Sequence, residues 1–302
     1  MTTRSNGPLA GFDWLKRGIN VGYANPKAVL GGAAFLLLMA FVPALITLPI
    51  QFGVMRAGSQ PDWTAFGLVM AISVLAGLLL IPLYGGYLQV IDAAERGLPA
   101  RARDIFQPYR QGGALRLIGY GLAIFGVYVA ALGIIIAASG MGIARWYAQL
   151  MTAQLHHQPL PADAMPDGIG MAVALVMVFG LFMMGAYAIS LGQVALRRRN
   201  IFAAIGDGFA GALKNVLPLL VFVISLLVAF IVFVVVIVLL AGLLTLLGKL
   251  AGTWLVLLLV APLYIGVMVA VYATMFGTMY YLWRDVCGDD DHVSAVAQSI
   301  AA

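Results

Sequence analysis

Residues 216–247 read VLPLLVFVISLLVAFIVFVVVIVLLAGLLTLL, without one charged side chain. A bilayer's hydrocarbon core of about 30 Å is crossed by about 20 apolar residues in helical form. This stretch is therefore a spanning helix with length to spare, expected to tilt, bend near Gly242 or protrude. Five further stretches of the same kind occupy 28–50, 64–91, 114–138, 171–196 and 254–283, with Asp, Glu, Lys and Arg absent except near their ends. Pro43, Pro82 and Pro262 fall inside spans, where neighbouring helices can satisfy the freed carbonyls.

Composition agrees. Of 302 residues, 63% are hydrophobic and 10% charged, against about 25% charged in a soluble domain. A water-soluble fold could not cover that much apolar surface, so lipid is the solvent for much of it. The expected fold class is all-α: a polytopic membrane protein of six transmembrane helices, one transmembrane domain over 1–302. The 28–50 stretch is too long for a signal h-region and lacks a small-residue cleavage site, so it is read as retained. Cys287, the single cysteine, is read as an inert thiol.

The net charge of +5 reports loops held in the cytoplasm rather than a nucleic-acid interface. Fourteen Lys and Arg flank the spans on one side: Arg4, Lys16, Arg17 and Lys27, then Arg96, Arg101, Arg103, Arg110 and Arg116, then Arg197, Arg198, Arg199 and Lys214, and Arg284. Only Arg56, Arg145 and Lys249 lie on the other. The positive-inside rule places both termini in the cytoplasm.

The spans also read as three hairpin units, about 11–96, 97–199 and 200–285, followed by a short cytoplasmic tail, 286–302. Each start has Phe followed six residues later by Gly: Phe12 and Gly18, Phe106 and Gly112, Phe202 and Gly208. Each end has Tyr followed twelve residues later by Arg: Tyr84 and Arg96, Tyr187 and Arg199, Tyr272 and Arg284. Asn25 and Asn215 each stand at the entrance to a span, although Pro26 follows the first and Val216 the second. Two crossings per unit make the repeats parallel, so either a pseudo-threefold bundle or sequential packing would hold them.

Two starter segments are amphipathic. Phe12, Leu15, Ile19 and Tyr23 share one helical face, and Ile201, Phe202, Ile205 and Phe209 another. Such helices suit the cytoplasmic interface or serve simply as connectors. The second starter, DIFQPYRQGG from Asp104 to Gly113, carries Pro108 and two glycines and is a poorer helix. Small residues at helical spacing, Gly266, Ala270, Thr274 and Thr278, and Gly119 with Ala123 and Gly126 with Ala130, are read as packing stripes. The mid-span tyrosines Tyr84, Tyr187 and Tyr272 are expected to point into the bundle, because hydrocarbon offers a phenol no partner.

No catalytic, cofactor-binding or metal-ligating residue is expected, and no cofactor. Ionisable side chains are absent at depth, and Gln89 and Gln193, the most polar span residues, lie near cytoplasmic ends. His156, His157, Asp163 and Asp167 share one outer loop, but adjacent histidines on a helix point apart, so the loop is read as solvated. No nucleophile elbow, P-loop or zinc-protease motif occurs.

LAGLLLIPLYGGYLQVIDAAERGLP at 75–99, RDIFQPYR at 103–110, WLKRG at 14–18 and the Asn25-Pro26 pair resemble a proteobacterial six-helix inner-membrane family known by a Burkholderia locus-tag name. That family is distantly similar to YciC-like proteins and to the membrane domain attached to some glycerophosphodiester phosphodiesterases. The resemblance implies a bacterial inner membrane and carries no assigned reaction. The expected function is non-enzymatic: binding a lipid or a protein partner within the bilayer in support of envelope function. The alternative is a carrier for a lipid or other amphipathic solute, which a polar-lined cavity along the bundle axis would favour. An intramembrane enzyme is the weakest reading, for want of an acid, His or Ser constellation at depth.

Single cysteines in a Cys287→Ser background test the topology. A thiol reagent that cannot cross the membrane is expected to label His156→Cys in intact cells and to miss Arg103→Cys; external labelling at 103 would overturn it.

Overall fold

Each apolar stretch folds as one helix. The computed structural model describes residues 3–23, 25–57, 63–140, 142–155 and 168–288. Among them are α1 (Ala10–Ile19), α2 (Pro26–Ala57), α3 (Trp63–Glu95), α4 (Gln107–Arg110), α5 (Ala114–Ser139), α6 (Gly142–Leu155), α7 (Ile169–Leu196), α8 (Ile201–Lys214), α9 (Val216–Ala251) and α10 (Thr253–Cys287). A 3₁₀ turn at Ala102–Phe106 leads into α4, and no strand occurs among the described residues. Six segments are long and apolar enough to cross a membrane: Pro26–Gly53, Thr64–Glu95, Ala114–Ser139, Ile169–Leu196, Val216–Leu246 and Leu258–Cys287. The chain is a multi-pass membrane protein.

Helix α9 remains helical through Gly242 for 36 residues, about 54 Å at 1.5 Å per residue. It exceeds one crossing, and Gly252 alone turns it into α10. The φ of +97° at Gly252 is one that L side chains adopt only under strain.

The second spans of the three hairpins, α3, α7 and α10, touch one another. Each first span packs on its own hairpin partner and on one other second span: α2 on α3 and α10, α5 on α7 and α3, α9 on α10 and α7. The starter segments fold back along the basic ends of the spans. Helix α1 lies on α10 and α9, the 3₁₀ turn on α3 and α2, and α8 on α7 and α5.

Glycine makes these fold-backs possible. A Cβ at Gly18 of α1 would stand 2.1 Å from Thr278 Oγ1 and 2.8 Å from the Thr278 nitrogen. One at Gly86 of α3 would stand 2.0 Å from the Ile105 carbonyl oxygen, and one at Gly208 of α8 2.5 Å from that of Ala186. The expected helices at the first and third starters are present. The buried face of α1 is Gly11, Trp14, Leu15 and Gly18, while Phe12, Ile19 and Tyr23 stay exposed. The second starter is the 3₁₀ turn and a four-residue helix, with Pro108 in its first turn.

The core sits at the end of the bundle where the basic connections meet. Trp14, Tyr87, Ile105, Tyr120, Phe276 and Trp283 are all buried there. Away from this basic end the spans part: the most apolar window of α9 is 0% buried within the chain, and that of α3 11%. The small-residue stripes follow this division. Thr274 and Thr278 pack against Gly18, whereas Gly266 and Ala270 are exposed and a Cβ at Gly126 would meet nothing.

Gly86→Ala is expected to cost about 1–3 kcal/mol, because the obstacle is backbone and cannot rotate away. Gly126→Ala should be neutral or stabilising by up to about 1 kcal/mol through helix propensity. Thermal unfolding of both variants in one detergent checks the contrast, and equal melting points would refute the fold-back contact.

Candidate functional site

Carboxylates at the basic end form a scaffold. Asp92 accepts from the Tyr280 hydroxyl at 3.0 Å and from Arg96 Nε at 2.9 Å. Glu95 accepts from the Tyr281 hydroxyl at 2.5 Å, and Asp207 from Arg199 Nε at 2.7 Å. Asp285 accepts from Trp14 Nε1 at 2.9 Å and pairs with Arg17, whose guanidinium lies 4.7 Å from the Tyr281 ring centre. These bonds join α1 and α3 to α10, and α8 to the segment that follows α7.

Two asparagines do matching work. Asn25 accepts from the Ala28 amide at 3.2 Å and reaches the Ala100 carbonyl at 3.4 Å. The buried Asn215 accepts from the Asn6 amide at 2.8 Å and donates to the carbonyls of Arg4 and Gly211, each at 2.8 Å. Arg4 in turn donates its amide to Val286 at 2.8 Å, so the N-terminal segment ties the end of α10 to the start of α9.

Further along the same helices, α3, α5 and α7 diverge around a lateral groove of about 290 Å³. Gly77, Ile81, Tyr84, Gly121, Tyr128 and Tyr187 line it, with almost no polar surface. The opening follows from one contact: a Cβ at Gly121 would stand 2.1 Å from Ile81 Cδ1, whereas one at Gly77 would meet nothing within 4 Å. Tyr84, Tyr187 and Tyr272 are all half-buried and packed against the core. Tyr84 stacks on Phe276 at 5.4 Å and Tyr187 on Tyr120 at 6.2 Å. Tyr120 shares a 2.7 Å bond with Ser190 and Tyr87 donates to Val29 at 3.0 Å. The hydroxyls of Tyr84, Tyr128 and Tyr187 have no hydrogen-bond partner among the described residues.

Where this seam reaches the basic end, a second, polar cleft of about 130 Å³ is lined by Gln89, Pro108, Gln111, Arg116, Leu117 and Arg198, with Gly112 and Gly113. No carboxylate borders it among the described residues. Arg116 donates to the Arg198 carbonyl at 3.4 Å, and its Nε is buried without a partner. Arg198 has φ +52°, the one positive value among described non-glycine residues. It follows the last turn of α7, the place where a helix usually ends in glycine. Arg199 returns its amide to the Gln193 carbonyl at 3.1 Å and so holds Arg198 there.

Of the residues singled out in the sequence, Gln89 donates to the Ala195 carbonyl at 2.9 Å and borders the cleft. Gln193 is buried against Asp207 at 3.4 Å, and Cys287 is a buried free thiol. His156, His157, Asp163, Asp167 and Asp289 to Asp291 lie outside the described residues. Sequence reading missed the cleft, since Arg116 and Arg198 are 82 positions apart and each counted only as a topology charge. Compared with known proteins, the chain matches no family model, no curated protein and no solved structure.

Arg198→Gly is expected to raise stability by up to about 1 kcal/mol, since glycine carries none of the steric cost of the left-handed region. A melting point below that of the unsubstituted protein would show that the arginine side chain contributes more to folding than its backbone costs.

Proposed function

We propose that the protein binds a membrane lipid without transforming it, one acyl chain lying in the groove between α3, α5 and α7. The apolar lateral groove carries this reading. It opens within the spanning region toward the bilayer, and a chain there would restore the packing that the diverging helices leave unmade. The unbonded hydroxyls of Tyr84 and Tyr187 suit the ester carbonyls of the same molecule.

The rest of the proposal follows from charge and topology. The basic end faces the cytoplasm of a bacterial inner membrane, and the three hairpins are copies of one unit arranged in a ring. Binding is favoured over carriage because Tyr84, Tyr87 and Phe276 pack ring to ring between the second spans. A carrier would need a polar path at that place.

Gly77→Leu tests the groove. The side chain enters open space, and the exchange improves helix propensity by up to about 1 kcal/mol, so folding is expected to be kept or strengthened. Lipid retained through purification, counted by native mass spectrometry, should fall by about one molecule per chain. Unchanged retention by a well-folded variant would refute the groove as the lipid site.

A further inference from the structure

The cleft and the groove lie on one seam. Leu117 borders the cleft and Gly121 the groove, one turn or about 6 Å apart along α5. On α3, Gln89 borders the cleft and Ile81 the groove, about 12 Å apart. Between them the Leu117 side chain fills the space over Gly85, 2.9 Å from where its Cβ would be. A cationic recess thus stands directly at the basic end of an apolar one.

The charges of this recess are not spent on the scaffold. Asp92, Glu95, Asp207 and Asp285 are each engaged by Arg96, Tyr281, Arg199 or Arg17, while Arg116 and Arg198 make no ion pair among the described residues. Instead Arg116 is bonded to the backbone of Arg198, and both arginines line one cleft. Close cations without a counter-charge destabilise a fold unless an anion joins them. Arg198 moreover occupies a backbone position that favours glycine, which carries a backbone cost. Guanidinium groups match phosphate oxygens in fork geometry, and the uncapped first turn of α5 adds amide donors at the same place.

We infer that the cleft lined by Arg116 and Arg198 receives the headgroup phosphate of a phospholipid whose chain lies in the adjoining groove, and that these two cations, with no carboxylate among the described lining residues to pair a choline, make the protein selective for anionic over zwitterionic lipid. The inference rests on the lipid reading above and adds the headgroup class. A phosphate group could also come from solution, but a soluble anion would have no use for the apolar recess that continues the same seam.

The test uses full-length protein in nanodiscs with spin-labelled phosphatidylglycerol or phosphatidylcholine of matched chains. The immobilised fraction should favour phosphatidylglycerol by about fivefold or more, two cations each adding a near-surface attraction. Arg116→Gln and Arg198→Gly should each reduce that ratio toward one, with phosphatidylcholine binding kept. Arg198→Gly guards against misfolding, because it also relieves the backbone. Gly77→Leu should release both lipids. If both lipids bind equally in the unsubstituted protein and Gly77→Leu still releases them, the headgroup inference is overturned and the lipid reading stands. If Gly77→Leu releases neither, the lipid reading itself fails. Tens of millimolar inorganic phosphate is expected to leave the ratio unchanged relative to a chloride control of equal ionic strength; specific abolition of the ratio by phosphate would assign the cleft to a soluble anion instead.

Discussion

Backbone contact at three glycines is the constraint from which the rest of this structure follows. In a bilayer the hydrophobic effect does not drive helices together, because lipid chains are as apolar as leucine. Close van der Waals packing must do so, and it needs surfaces without side chains in the way. Gly18 against Thr278, Gly86 against Ile105 and Gly208 against Ala186 supply such surfaces. All three lie at the basic end, so the spans are fixed there and are free to diverge elsewhere. The groove is a consequence of this arrangement: α3 and α5 touch at Ile81 and Gly121 and have parted by Gly77.

The polar layer reinforces the same end. Carboxylates near a membrane boundary are costly unless engaged, and here they bond phenols, an indole and guanidinium groups drawn from different helices. Tyr280 and Tyr281 of α10 reach Asp92 and Glu95 of α3, while Trp14 and Arg17 of α1 reach Asp285 of α10. Removing one partner would leave the other unsatisfied, so the layer acts as a scaffold. Arg116 and Arg198 stand out because they share a cleft with no carboxylate among its described lining residues.

The spans were legible because twenty apolar residues in a row have one reading whatever they pack against. The fold-backs were half legible. Phe–x₅–Gly marked all three starters, and in two of them the glycine is the contact that sequence spacing could not explain, Gly18 and Gly208. In the middle starter Gly112 is a turn with φ +75°, and the contact glycine has moved to the span, Gly86. The stripes of small residues on α5 and α10 misled over half their length, since a stripe packs only where a neighbour arrives: Gly126 and Gly266 face nothing. The cleft was invisible for a different reason. Topology rules count arginines by side, and nothing in a count distinguishes Arg199, paired to Asp207, from Arg198 beside it.

On the proposed reading of three like hairpins, side-chain identity accounts for the cationic cleft lying at this junction. Aligned on Asn25, Gly113 and Asn215 at the span entrances, the position of Arg116 is taken by Ala28 in the first hairpin and Pro218 in the third. Aligned on Arg96, Arg199 and Arg284, the position of Arg198 is taken by Glu95 and Trp283. The first hairpin therefore offers a small residue and an acid, and that acid is bonded to Tyr281. The third offers a proline and a buried indole that packs over Gly192. Both substitutions turn the corresponding space into scaffold. On the proposed reading of three like hairpins, two junctions hold the shape while the third leaves two arginines, a helix start and an adjoining apolar recess for the lipid inferred above. On that reading this junction differs from the other two at two side chains, neither of which takes part in the contacts of Gly18, Gly86 and Gly208.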